Sequence, residues 1–367
     1  MKQKFQWVWL LFAVTANGEE YPFDEGRWQV TAQNAEFTEH LGEQALFLDR
    51  GVALLKGVQL TDAVIEFDIS VAEVRGFSGA RFRVQDSTNY EHFYIRPHQS
   101  GNPDANQYTP VINGVAGWQL YHGEGYGAPV EYRFNEWMHV KIVFRDSRAE
   151  IFIDSDEPQI LVPELKRQVQ AGGIGVDANF APAYFANFSV APLPDGYRLA
   201  GVSEDASAEP AELVSSWLVS DSFDKAELDD ADALSMEFRS ARHWSSLAAE
   251  PGGITNLARI QGIGPDKDTA IASVVVESGT DQVKGVSFGY SDAVSVYLNG
   301  TRLYSGSTLY MSRDYRYLGT IGLFDKVYLP LKAGQNELWF AVSEAFGGWG
   351  IQARFDDIEG IKIIGDP

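Results

Sequence analysis

Residues 90–122 concentrate side chains that can hold a polar ligand. The run Y-E-H-F-Y-I-R-P-H, read with a period of two, puts Tyr90, His92, Tyr94, Arg96 and His98 on one face and Phe93, Ile95 and Pro97 on the other. One face is apolar and suits a core. The other mixes phenol rings, imidazoles and a guanidinium, which a core does not need and a ligand surface uses. The expected ligand-binding set is Arg81, Arg83, Tyr94, Arg96, His98, Gln107, Gln119 and Tyr121, of which Arg81, Arg83, Tyr94, Arg96, Gln119 and Tyr121 are expected to line one concave surface. Trp349, in a distant G-G-W-G turn with Phe346 and Tyr315 nearby, adds a ring that could stack on a sugar. For acid–base chemistry the stretch offers Glu91, His98 and His122, with Asp104 in reach. A histidine near its free pKa exchanges protons at neutral pH, and an arginine can hold a developing oxyanion. The same residues also have a purely structural reading, in which the tyrosines pack across strands and the arginines pair with acids next door.

The elements that must position these groups read as strands throughout. V-I-E-F-D-I-S alternates Ile65, Phe67 and Ile69 against Glu66, Asp68 and Ser70, and A-R-F-R-V-Q sets Phe82 and Val84 against Arg81, Arg83 and Gln85. W-M-H-V-K-I-V-F turns at Arg145-Asp146-Ser147 into A-E-I-F-I-D, and Asn299-Gly300 gives the strongest hairpin signal in the chain. The segment 191–216 loses this pattern to P-L-P-D-G and S-E-D-A-S-A-E-P-A-E, a composition that buries little and reads as a linker. The expected organisation is all-β: a signal segment at 1–16, an antiparallel sandwich at 17–190, an acidic Pro/Ala/Ser-containing linker at 191–216 and a second jelly-roll sandwich at 217–367.

The 367 residues carry a formal charge of −22, which repels a phosphate backbone and an anionic bilayer and so excludes nucleic acid as the expected partner. Lys2 and Lys4, an apolar run at 5–14 and Val14-Thr15-Ala16 form a secretory signal pattern, predicting a secreted or periplasmic protein with no membrane insertion once the signal is removed. Cysteine is absent, so the cores alone hold the fold. Six scattered histidines match no metal motif, and no metal ligands are assigned. The acidic run D-S-F-D-K-A-E-L-D-D-A-D from Asp221 leaves a structural Ca2+ as the one cofactor considered.

F-S-G-A-R-F-R at 77–83, Y-E-H-F-Y-I-R-P-H at 90–98, W-Q-L-Y at 118–121 and W-M-H-V-K-I-V-F at 137–144 resemble the concanavalin A-like lectin/glucanase superfamily, in its laminin-G-like and 3-keto-disaccharide hydrolase-like branches. A-V-S-V-Y-L-N-G at 293–300, V-Y-L-P-L-K-A-G-Q-N-E-L at 327–338 and G-G-W-G at 347–350 resemble a galactose-binding-like jelly roll. The resemblance implies saccharide or peptide sites on a concave sheet or its rim, and an oligo- or polysaccharide as partner. Laminarinase-like members carry E-x-D-x-x-E; here Glu66 and Asp68 fill the first two positions and Val71 the third. A retaining glycosidase needs two carboxylates about 5–5.5 Å apart, so Glu66 and Asp68 read as a solvent face paired with Lys or Arg on the next strand. Three functions stay open: a secreted glycan-binding protein, a glycoside hydrolase or keto-glycoside lyase on the same scaffold, and a protein-recognition or adhesion module.

Overall fold

The computed structural model describes residues 18–194, 196–200, 210–228, 232–312, 314 and 317–365. The signal pattern, Tyr315, most of the acidic part of the linker and three residues of the acidic run after Asp221 lie outside the described residues. The chain is almost entirely antiparallel β.

Strands drawn from Glu19–Glu20 through Ala183–Ala191 form a 13-stranded sheet. Its order from one edge is Ile160–Val162, Arg148–Ile153, Met138–Arg145, Ala63–Val71, Ala183–Ala191, Glu43–Leu55, Gly173–Asn179, Phe77–Asp86, Asn89–Ile95, Asn106–Ile112, Val115–Ala116, with Glu19–Glu20 also pairing with Ala183–Ala191 and Trp28–His40 with Glu43–Leu55. The sheet folds on itself, because the apolar residues of its two arms fill one core. Ile65, Phe67, Ile69, Val140, Ile142 and Phe144 of one arm join Ala80, Phe82, Phe93, Ile95 and Tyr108 of the other. The rings of Phe82 and Phe144 meet at 4.9 Å across the sandwich. With one face committed to that core, strand register is fixed and the odd-numbered or even-numbered residues must face outward.

The alternation breaks at Arg83. Its φ is +48° and the pairing register slips between Phe82 and Asp86, the signature of a bulge. The extra residue sends Val84 to the outer face beside Tyr90 and Val111. Arg83 turns the other way and lies over the Phe144 ring at 5.4 Å.

Strands from Ser216–Ser220 onward build a seven-stranded sheet packed on a four-stranded one. Val274, Val296 and Phe340 of the first meet Phe288, Leu329 and Ile351 of the second, with Phe288 and Phe340 rings 5.3 Å apart. The Asn299-Gly300 turn joins Ala293–Leu298 to Thr301–Ser307 with φ of +51° and +81°, as a two-residue primed turn requires. Ile112 and Val115 of the N-terminal half belong to this second core. The two halves therefore share buried apolar surface. No helix among the described residues is long and apolar enough to cross a membrane.

Candidate functional site

Asp177 sits at the centre of the polar outer face. It lies on Gly173–Asn179 opposite Gly79, while Arg81 on the neighbouring strand lies opposite His92 of Asn89–Ile95. This register brings three strands' side chains together: Arg81 Nε donates to Asp177 Oδ2 at 2.9 Å, and His92 Nε2 lies 2.9 Å from Oδ1. Burial of Asp177 raises its pKa, but the charges of His92 and Arg81 outweigh it and hold the carboxyl at about 2. The Arg81 guanidinium also covers the Tyr90 ring at 4.2 Å.

Arg96 follows the end of Asn89–Ile95 and joins this layer to the next. It donates to the backbone oxygens of Asp104 (2.8 Å) and Asn106 (3.3 Å), to Tyr94 Oη (3.1 Å) and to Gln107 Oε1 (3.4 Å). Its guanidinium carbon lies 5.1 Å from the Tyr94 ring and 6.0 Å from the Trp118 ring. Arg81, Tyr94, Arg96 and Gln107 thus lie together, as one surface requires. They are sunk, and what projects from the surface is aromatic. At one end Phe180, 68% exposed, packs on Phe77 at 5.3 Å, and Phe77 in turn meets Tyr94 and His98. At the other end Trp118 packs on Phe346 at 5.7 Å and on Tyr310 at 6.1 Å, with Phe346 54% exposed. Half-buried His98 has its pKa lowered by burial and by the charges of Arg75 and Arg96, which favours the neutral imidazole.

Other expected residues lie elsewhere. Arg83 leaves the polar face through its bulge and donates to the backbone oxygens of Thr61 (2.8 Å) and Asp146 (2.6 Å), tying loops at the end of the sandwich. Glu91 points to the opposite face, fully buried, accepting from Tyr108 Oη at 2.7 Å and from the Arg167 N–H at 3.2 Å. Burial raises its pKa, yet no ligand on the polar face can reach it. Gln119, Tyr121 and His122 lie at the junction of the halves: Gln119 Nε2 donates to Leu318 O, Tyr121 Oη donates to Glu250 Oε1 at 2.6 Å, and His122 Nε2 lies 3.2 Å from Ile321 O. Trp349 is wholly buried, with Nε1 donating to Val342 O at 2.9 Å, so it is a core residue and stacks on no ligand.

Glu66 and Asp68 face outward from the other arm; Glu66 lies opposite Lys141 on the adjoining strand, as expected, and Asp68 opposite His139, whose imidazole is the nearest partner of both carboxylates. Asp68 Oδ1 lies 2.7 Å from Nδ1 and Glu66 Oε2 3.4 Å from Nε2, and together these contacts raise the imidazole to about 9. After Asp221 the carboxylates of Asp221 and Asp224 accept from the His243 and Ala226 N–H groups. No three His, Asp or Glu side chains converge as a metal cage among the described residues.

Sequence reasoning missed Asp177, Phe180 and Tyr310 as members of this surface. An aspartate in the otherwise apolar G-I-G-V-D-A-N run was the available signal, since a buried carboxylate needs a partner. Phe180 and Tyr310 carried none, being ordinary loop residues until the fold places them.

No family model and no curated protein sequence matches the chain. Solved structures do resemble it. A carbohydrate binding module, CBM66, from Bacillus subtilis is 18% identical over 46% of this chain and 99% of its own, with a TM-score of 0.34. A Bacillus licheniformis beta-glucanase is 12% identical over 49% of this chain and all of its own, with a TM-score of 0.36. A family 35 carbohydrate binding module from an environmental isolate is 15% identical over 27% of this chain and 74% of its own, with a TM-score of 0.20. These are likenesses to proteins whose names concern carbohydrate, at identities and scores that assign this chain neither a family nor an activity.

Proposed function

We propose that the chain is a secreted or periplasmic glycan-binding protein, built as two sandwich domains at 17–190 and 217–367, that takes an oligo- or polysaccharide along the Phe180–Arg96–Phe346 surface. The observation that carries the reading is the pair of exposed aromatic ends, Phe180 and Phe346, flanking a recessed polar layer. Aromatic faces stack on the C–H faces of sugar rings, and fixed polar groups between them supply hydrogen bonds to hydroxyls. The buried carboxylate in that layer, Asp177, is held ionised by Arg81 and His92 and has no proton to give near neutral pH. Glu91 lies on the far face. Both facts support binding ahead of hydrolysis, which needs a protonated acid beside the glycosidic oxygen. The charge of −22 supports a neutral partner over nucleic acid.

The test is a glycan array on the intact protein, followed by titration of the best ligand into Phe346→Ala and Phe180→Ala. Loss of one stacking ring weakens binding about tenfold. Failure of every glycan class to be retained by the unaltered protein would remove the reading.

A further inference from the structure

Two arginines without a carboxylate partner stand at the Phe180 end of the aromatic surface. Arg75 lies in the loop between Ala63–Val71 and Phe77–Asp86, and Phe180 in the bend that follows Gly173–Asn179. Gly76 seats the loop on the bend, since a Cβ at that position would lie 3.1 Å from the Cβ of Ala181. The exposed Arg75 guanidinium accordingly covers the Phe180 ring, with its carbon 5.8 Å from the centroid. Phe77 is the centre on which the neighbouring groups converge: the rings of Phe180, His98 and Tyr94 lie 5.3, 5.5 and 5.6 Å from it. Arg96 reaches the same cluster, 5.1 Å from the Tyr94 ring.

Neither guanidinium is neutralised by a carboxylate among the described residues. Arg96, 6% exposed, donates to two backbone carbonyls, a phenol and an amide oxygen, all of them uncharged. Arg75 makes its one ring contact with Phe180 and no ion pair. His98 registers the field that results. After burial, the charges of Arg75 and Arg96 act most strongly on its imidazole and both depress its pKa, each outweighing the opposite effect of Asp104. The local field is therefore positive beside an exposed ring. A guanidinium presents paired N–H groups that fit an oxyanion, and such charge-assisted bonds are stronger than those to a neutral hydroxyl.

We infer that the sugar stacked at Phe180 carries one anionic substituent, a carboxylate or a sulfate ester, held by the Arg75 guanidinium within the field of Arg96. The inference rests on the glycan-binding reading above and narrows its substrate class to glycans with an acidic sugar. It is compatible with a formal charge of −22. That charge turns away a polyanion such as nucleic acid, but at physiological ionic strength exposed charges more than about 8 Å away are largely screened. A single oxyanion beside Arg75 meets the local field instead.

The test is an array of matched sets, each holding a neutral oligosaccharide, its uronic-acid-ended form and its sulfated form, probed with the full chain and followed by titration of the best-retained set. An acidic member is expected to bind about tenfold more tightly than its neutral counterpart at low salt. The ratio should fall toward one as NaCl approaches about 1 M, where the screening length is about 3 Å. Either acidic form bound ahead of the neutral one supports the inference, and the tighter of the two identifies the substituent. Arg75→Gln is expected to bring the ratio close to one, while Lys332→Gln, on the exposed surface of the C-terminal half, keeps it. A neutral member bound as tightly as its acidic counterparts, or an acid preference undiminished in Arg75→Gln, overturns the inference and leaves glycan binding standing. Retention of no glycan from any set overturns both. Because the ratio and its salt dependence are measured on the unaltered chain, the outcome does not depend on how a variant folds.

Discussion

Asp177 shows how one buried carboxylate can organise three strands. Removing its charge leaves Arg81 and His92 facing a neutral amide around a fully buried position, so Asp177→Asn is expected to destabilise by about 3–5 kcal/mol, read from urea unfolding. Its pH signature has a fixed sign. A carboxyl at about 2 in the fold and near its ordinary value when unfolded contributes stability above pH ~4, and that contribution is lost as pH falls through 2. His139 has the opposite sign. Raised to about 9 by Asp68 and Glu66, it contributes fully below its ordinary pKa near 6.5, and the contribution disappears as pH rises through 9. His139 is half exposed, so screening holds its worth to about 1 kcal/mol or less. His139→Gln should flatten stability between pH 6.5 and 9; an unchanged slope there would show that the imidazole is not so held.

At the scale of elements, the period-two pattern was legible wherever a strand stayed regular. Residues 90–95 divide their faces as read, with Phe93 and Ile95 in the core and Tyr90, His92 and Tyr94 together on the other side, while the strand stops at Ile95 and Pro97–Gln99 turn as a 3-10 helix. The reading failed at Arg83, because a single bulge residue reverses every face after it and nothing in A-R-F-R-V-Q marks where pairing slips. The displaced guanidinium acquired a structural task. Arg83→Ala leaves the carbonyls of Thr61 and Asp146 without their charged donor and is expected to cost about 2–4 kcal/mol. If Arg83 instead served the ligand surface, the same variant would lower glycan affinity and leave the unfolding midpoint in place. The Asn299-Gly300 hairpin was read correctly because its signal is local: a primed turn requires positive φ at both positions, and this dipeptide supplies them.

At the scale of the molecule, the sequence pointed to two units joined by a linker and did not reveal how they touch. The contacts that join them are separated by long stretches of chain: Asn113 Nδ2 donates to Ala258 O across 145 residues, and Gln119 Nε2 to Leu318 O across 199. Such pairs leave no periodic trace, and a buried glutamine looks like an exposed one until its partners are in place. The segment 117–122, which read as part of a ligand surface, proves to be the piece of the N-terminal half inserted into the C-terminal half. Gln119 receives the Ile321 N–H at its carbonyl and gives its own N–H to Gly347 O, while Ile112 and Val115 enter the second core. A shared core makes unfolding of one half expose apolar surface of the other, and that coupling converts two units into one cooperative transition. Calorimetric melting of the intact chain is therefore expected to show a single endotherm. Val115→Asp, which puts a charge into the shared core, should split it into two, with the N-terminal sheet retaining most of its own enthalpy. Two resolved transitions in the unaltered protein would mean that the halves are held by the linker alone, and that the aromatic surface from Phe180 to Phe346 is not a fixed platform for a ligand.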